Sequence, residues 1–442
     1  MALPEEHPTR AGENPVGRRN FLRLAGLSGA APLLTWSSSL QASPVPKPSR
    51  KPSDARSHER SHDNVYERMF GVRPLINAAG PVTSLGGTLL SKEVTDAMAA
   101  ASRDFVDLNE LYSVAGARLA KILRSEAAMV TSGASAAMTL AAAACLAGDD
   151  KDRMAALPQP TWPRRETIIQ RAHSTAYEQA YRDAGMNLVY VDTEEQMRAA
   201  ISDRTAMIAG LINTEKMDLP GIIPLKQLVS IGKSAGVPVY FDASFSVTHN
   251  SPPSSLWRYT QMGADLVGIS GGKGLHGPQA TGILAGRADL IAAARRMASP
   301  NVPALGRGMK VDKEGVVGLM AAIEQFLTRD ADALYRRDRQ RVDTMKKYVS
   351  DIPGVRLDYD DLYFGPGLVL MWDQADIRLS YGDFVKQMHE SERPISVLVA
   401  SGPTAYFGKV NGPALYAGYL NDGEEVIVAK RAREILLGAG RK

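Results

Sequence analysis

The sequence holds a single cysteine, Cys145, in 442 residues. That excludes an intrachain disulfide and any metal site built from a cysteine cluster. Cys145 lies in the apolar run 140–146, where a core thiol is expected rather than a nucleophile. No stretch is apolar enough over sufficient length for a transmembrane helix. No internal repeat is present. The lysine of Gly271-Gly272-Lys273-Gly274 lacks the G-x-x-x-x-G-K-[ST] spacing, so a nucleotide P-loop is excluded as well. Most of the chain also lacks a charge excess of either sign. The formal net charge is +4, but residues 1–60 hold nine Lys/Arg against five acids. Residues 61–442 therefore balance at 43 against 43, without the basic footprint that nucleic-acid recognition needs. Hydrophobic residues at 44% and charged residues at 23% exclude wholesale disorder, and the length leaves room for two or three domains.

What is present begins with the N-terminal segment. Residues 17–34 read GRRNFLRLAGLSGAAPLL: Arg18-Arg19, then Phe21-Leu22, then a short Gly/Ala-rich apolar run. This order resembles a twin-arginine export signal, an address read by a receptor rather than an anchor. A basic amphipathic leader is the alternative. The signal is expected over residues 1–42, with the export machinery as a partner and a periplasmic or other extracytoplasmic destination. Ala42 is a candidate cleavage position, although Leu40 is not small. Residues 43–65 are rich in Pro, Ser and charge and read as a linker, because they cannot bury enough apolar surface to fold. His7, His58 and His62 fall in this leader and linker, which makes them poor catalytic candidates.

From residue 66 the pattern alternates. Strands are expected at 127–131, 167–170, 188–191, 206–212, 237–241, 265–269 and 280–285. Helices are expected at 135–147, 174–184, 194–201, 225–235 and 289–297. Short apolar runs alternating with helices indicate an α/β fold: three layers, α/β/α, around a mainly parallel sheet covered on both faces. Helical patterns dominate 313–348. Strand-like runs at 355–359, 367–372 and 395–400 then interleave with helices at 381–390 and 424–437, a smaller α+β domain. The expected division is a large domain over 66–330 and a small C-terminal domain over 331–442.

Four features carry chemistry. Thr131-Ser132-Gly133-Ala134-Ser135 joins a strand to a helix, where small residues let backbone amides approach a phosphate. The same residues also make an ordinary helix start. His173 follows the strand TIIQRA, where an imidazole can stack on a flat cofactor or simply be a hydrogen-bonded residue. Asp242 ends the apolar strand VPVYFD. A carboxylate there needs a partner; a protonated pyridine nitrogen is one, and capping the next segment is the alternative. Lys273 stands among glycines after the strand DLVGIS, exposed to a bound ligand and able to form a Schiff base, with the Ser270 hydroxyl nearby to reach a phosphate. Taken singly, this glycine-rich stretch is also an ordinary turn. Together, in this order, the four match pyridoxal-phosphate enzymes of the aspartate-aminotransferase fold.

The stretches LINAAGPVTSLGG (75–87), VTSGASAAMTLAAAACLAG (130–148), IIQRAHSTAYEQAYRDAG (168–185), GVPVYFDAS (236–244), GADLVGISGGKGLHGPQATGILAGRADLI (263–291) and GRGMKVDKEGVVGL (306–319) extend the likeness. They resemble the selenocysteine-synthase-like group of pyridoxal-phosphate enzymes, most closely its D-glucosaminate-6-phosphate ammonia-lyase branch. By resemblance, Lys273 bonds pyridoxal 5'-phosphate, Asp242 holds its pyridine nitrogen and His173 stacks on its ring. Ser132, Gly133, Ala134 and Ser135, with Ser270, hold the phosphate. The resemblance also implies a homodimer or larger homo-oligomer. Members of the lyase branch follow the Asp with Ala-Ala-Glu and a Pro pair; here the run is Asp242-Ala-Ser-Phe-Ser-Val247, and Pro252-Pro253 comes later. The basic residue that often follows the stacking His is Ser174. The substrate is therefore expected to differ from a phosphorylated amino sugar acid.

The expected reaction is α,β-elimination on an amino acid or amino sugar acid, with Lys273 as the base at Cα. His276 and Tyr112 are candidate acids. Arg118, Arg307 and Lys310 are candidates for a substrate carboxylate or phosphate, with surface solubility as their other role. Transamination, racemisation and aldol cleavage stay open. A seryl-tRNA selenium transferase conflicts with the neutral body, and a cofactor-free binding protein conflicts with the intact Asp242–Lys273 pair.

Overall fold

The computed structural model describes residues 64–217, 220–361, 364–401 and 411–440. The expected export signal and nearly all of the linker lie outside these residues. Asn64, at the end of the stretch read as linker, caps the helix Val65–Phe70 through its side chain.

Strands run in chain order as β1 (Ile76–Asn77), β2 (Ala127–Thr131), β3 (Glu166–Gln170), β4 (Asn187–Val191), β5 (Thr205–Leu211), β6 (Val239–Asp242), β7 (Leu266–Ser270) and β8 (Gly282–Gly286). Seven of them form one sheet in the order β2-β8-β7-β6-β5-β3-β4. The pairs from β7 through β6, β5 and β3 to β4 are parallel. β8 runs against both of its neighbours, so β2 points the same way as β7. Side chains alternate along each strand, and here both sides are buried. Ile168, Ile208, Phe241, Val267 and Ile283 enter one apolar cluster with the helices Leu108–Leu123, Leu225–Ala235 and Lys313–Thr328. Their neighbours Ile169, Ala209, Tyr240, Leu266 and Leu284 enter a second cluster with Ala134–Ala147 and Ala288–Arg296. These two clusters are the outer interfaces of the three-layer α/β/α body. The Ala134–Ala147 helix is buried almost all round, which its alanines permit by taking little space.

The remaining strands are β9 (Val355–Asp360), β10 (Gly367–Trp372), β11 (Ile395–Ser396), β12 (Leu398–Ser401) and β13 (Asn411–Tyr416). The antiparallel sheet β12-β13-β10-β9 packs with the helices Ala331–Val349, Tyr381–His389 and Glu424–Gly438. β1 pairs in parallel with β11, so Ile76 and Ala78 belong to this small-sheet core although they precede the large sheet in sequence. The expected helix at 174–184 is reduced to a 3-10 turn, Ala176–Glu178, and one short α-helical turn, Gln179–Asp183. The expected strand at 395–400 divides into β11 and β12, which join different sheets.

Candidate active site

The C-terminal ends of the parallel strands converge at one edge of the large sheet, where loops can surround a ligand. β2 delivers Ser132 and Gly133, β3 delivers His173, β6 delivers Asp242 and β7 delivers Ser270 and Lys273. The strand ends thus place Ser132, Gly133, His173, Asp242, Ser270 and Lys273 along this side, with Ala134 and Ser135 opening the helix that follows β2.

Gly133 is the N-cap of Ala134–Ala147, with φ of 91° that favours glycine. The first amides of the helix have no intrahelical acceptor, and no side chain caps them. They form an anion cradle reinforced by the helix dipole. Thr131 Oγ1 donates to the Gly133 carbonyl at 2.9 Å and sets the turn. Ser270 pairs with Gly282 across β7 and β8. A Cβ on Gly282 would fall 2.5 Å from the Gly133 carbonyl carbon, so the absence of a side chain brings Ser270 beside the cradle.

His173 is buried and held by backbone at both ring nitrogens. The Leu211 amide donates to Nδ1 at 3.0 Å, which leaves the proton on Nε2 to donate to the Ile223 carbonyl at 3.1 Å. Burial lowers its pKa to about 4, so the ring is a neutral plate and has no free nitrogen for acid chemistry. A narrow cleft of about 10 Å³ runs between His173 and Asp242, walled by Met138, Ile169, Tyr181 and Ala209. A larger cleft of about 470 Å³, lined by Arg124, Lys233 and Arg287, sits at the opposite sheet edge, away from these groups.

Asp242 is buried; its Oδ1 accepts from the Ser244 amide at 3.0 Å. Its other oxygen has no hydrogen-bond donor among the described residues. An acceptor held in this way suits a protonated ring nitrogen, as the uncapped helix suits a phosphate. The donor set therefore fits pyridoxal phosphate at both ends.

Lys273 rides a loop that tolerates no neighbouring side chains. A Cβ on Gly272 would meet Gln279 Cα at 2.5 Å, and one on Gly274 would meet the Thr248 carbonyl carbon at 2.4 Å. The glycines are there for packing rather than for flexibility. Burial lowers the Lys273 pKa to about 8, against the opposing pull of the Asp242 charge. A sizeable fraction of the amine is then neutral, hence nucleophilic and basic, near neutral pH. Its Nζ lies 3.3 Å from the centre of the Phe245 ring, which packs edge-on against Phe364.

The candidate acids do other work. Tyr112 is buried and donates to the Val311 carbonyl. His276 engages His249 and the Leu89 carbonyl instead of reaching toward the lysine amine. Arg118 is exposed on the Leu108–Leu123 helix, Lys310 is exposed and Arg307 is half-buried. Among the described residues, no contact joins these three cations to Lys273 within one chain. The Cys145 thiol, half-buried in apolar surroundings, is pushed up to about 12 and is not a nucleophile. Sequence reading missed Phe245 as a neighbour of the lysine, Thr214 beside His173 Nδ1 at 3.4 Å, and His249. The polar run Asn213-Thr214-Glu215-Lys216, one residue past β5, was a usable signal for the second of these.

Comparison with known proteins extends this geometry. The sequence model of a family described as SelA, L-seryl-tRNA selenium transferase, matches residues 75–346. A 5'-C-glycyluridine monooxygenase-decarboxylase from Streptomyces sp is 34% identical over 296 residues, covering 64% of this chain and 71% of that protein. D-glucosaminate-6-phosphate ammonia lyase from Salmonella typhimurium is 28% identical over 271 residues, covering 59% and 70%. A solved D-glucosaminate-6-phosphate ammonia-lyase superposes with a TM-score of 0.70 at 24% identity, over 86% of this chain and 100% of that one.

Proposed function

Since the chain belongs to the L-seryl-tRNA selenium transferase family of pyridoxal-phosphate-dependent enzymes, we propose that it binds pyridoxal 5'-phosphate and transforms an amino acid or amino sugar acid by α,β-elimination. The observation that carries this reading is Lys273: an amine on a close-packed loop, its pKa lowered to about 8, with the Asp242 charge acting on it. The bound cofactor supplies a carbonyl that condenses with amines and a ring that accepts an electron pair from Cα. Lys273 Nζ takes the proton from the substrate Cα. Asp242 holds a proton on the ring nitrogen, and His173 fixes the ring plane while staying neutral. The Gly133 turn and Ser270 anchor the phosphate. Loss of the Cα proton and of a leaving group at Cβ yields, after hydrolysis, a keto acid and ammonia. Ammonia-lyase activity in a relative supports this reading.

Phe245 favours a second reading. An aromatic ring faces Lys273 at the position where the lyase branch carries glutamate. The more similar relative is a monooxygenase-decarboxylase, so oxygen-dependent loss of carbon dioxide from an amino acid is the competing reaction. Incubating the loaded enzyme with a panel of D- and L-amino acids under nitrogen and under air separates the two. Ammonia and keto acid formed equally in both atmospheres are the expected result. Carbon dioxide released only in air, with oxygen consumed, would replace elimination by the second reaction. Transfer to seryl-tRNA stays disfavoured by the neutral charge balance of residues 61–442.

We further infer export by the twin-arginine route, on the order of Arg18-Arg19, Phe21-Leu22 and the apolar run. Replacing Arg18 and Arg19 by lysine should keep the protein in the cytoplasm, as read by cell fractionation. Unchanged export of that variant would refute the route.

A further inference from the structure

Two of the four histidines among the described residues touch each other: His276, three residues beyond Lys273, and His249, which precedes it. His249 is buried, and its Nδ1 lies 2.7 Å from His276 Nε2. The direction of this bond follows from its ends. A guanidinium only donates, so Arg337 Nη2 donates to His249 Nε2 at 2.9 Å. The His249 proton then sits on Nδ1 and is donated to His276 Nε2. His276 is left with its proton on Nδ1, facing the Leu89 carbonyl at 3.4 Å. Protonating either ring would set two donors against each other. The groups facing the pair are Arg329, Arg337, Arg341, Asp338 and Tyr419. Burial first, then the neighbouring His276 and the arginine charges, lower the pKa of His249 to about 2; burial and then the arginine charges lower that of His276 to about 4. Both rings stay neutral, and the chain of donors keeps one direction.

This chain joins two bodies of packing. The His276 amide donates to the Lys273 carbonyl at 2.9 Å, closing the turn that carries the lysine. At the other end, Arg337 and Asp338 belong to the Ala331–Val349 helix of the small sheet. Arg329, in the turn between the two long helices, donates to both the Gly274 and the Thr248 carbonyls at 3.0 and 2.8 Å. It thereby clamps the lysine loop to the segment that carries His249. His276 adopts φ of +57°, one of two non-glycine residues in the left-handed region among those described. That conformation is uncommon for a residue with a side chain, although less so for histidine, and its side-chain contacts hold it.

We propose that His249 and His276 are positioning residues for Lys273: the one-way chain from Arg337 through both rings fastens the lysine loop to the small-sheet helix and holds the half-buried amine in place. The inference rests on Lys273 being the cofactor lysine. His276→Gly removes the ring while relieving the backbone, since glycine accepts φ of +57° freely. Arg337→Ala cuts the chain at its partly exposed end and leaves both rings in place.

The readout is the rate at which pyridoxal phosphate, added to the purified apo-protein, forms the visible band of the lysine-bound cofactor, followed against pH. The neutral amine is the reactive form, so the wild-type rate should rise with pH to a midpoint near 8. In both variants the loop loosens, the half-buried lysine becomes more exposed and the midpoint moves upward. A shift of about one pH unit makes band formation at neutral pH about tenfold slower. Turnover should fall about 10- to 100-fold with little change in KM, because the lysine is misplaced rather than the substrate. A merely structural role would lower the melting temperature while leaving the midpoint in place, and that outcome overturns the proposal. If His276→Gly does not fold, Arg337→Ala alone decides between the same two results. A wild-type chain that forms no band would overturn the cofactor assignment itself; a normal wild-type band with unmoved variants would overturn only the histidine tie.

Discussion

Lys273→Ala should form no visible band with pyridoxal phosphate, and its turnover should fall roughly 10²- to 10⁴-fold, the range expected when a positioned base is removed. The cofactor should still bind, because the uncapped start of the Ala134–Ala147 helix and the buried Asp242 remain. It should, however, wash out on dialysis. Borohydride reduction of the loaded wild type, followed by peptide mass analysis, should find the label at Lys273. An unchanged band in the variant, or a label at another lysine, would remove Lys273 from its role. The loop itself should survive the change, since its course is dictated by the close approach of Gly272 to Gln279 and of Gly274 to Thr248.

Asp242→Asn should separate binding from turnover. The amide keeps the size of the carboxylate and an oxygen to accept from the Ser244 amide. It loses the charge that favours the Lys273 ammonium form. The Lys273 pKa is already lowered to about 8 by burial, with Asp242 opposing that shift. Without the opposing charge it falls further, so the neutral amine dominates at lower pH. Band formation in Asp242→Asn should therefore become faster near neutral pH, with its midpoint below 8. Turnover should nevertheless drop about 10²- to 10³-fold, the scale of losing one preorganised electrostatic partner. Stopped-flow absorbance gives the first quantity and steady-state product release the second. A variant slow in both would mean that Asp242 serves to shape the site and not to hold charge.

The large sheet was readable because both of its faces are buried. Strands such as β5 and β7 then appear as unbroken apolar runs bounded by polar loops, and the residues at their tips stand out by contrast. Asp242 and Lys273 were legible for that reason. β13 was not, since Asn411-Gly-Pro disguises a strand whose pairing with β10 and β12 depends on distant partners. The helix expected after His173 was read from periodicity, but the Thr175 capping box restarts the chain and breaks it into short turns. His249 carried no local signal. Its meaning comes from Arg337 and His276, which lie 88 and 27 residues away in sequence. Phe245 was noticed as a departure from a pattern, while its place over the lysine amine required the loop geometry.

The pairing of β1 with β11 bears on the order in which the protein can assemble. The two strands lie about 320 residues apart in sequence, so their registry waits until the last quarter of the chain has been synthesised, and closing so long a loop is entropically costly. Ile76 cannot find its native neighbours while the polypeptide is still short. Residues immediately ahead of β1 therefore stay attached to an unfinished body until translation is nearly complete. The small-sheet core that Ile76 joins is therefore completed late, once β11 is available to pair with β1.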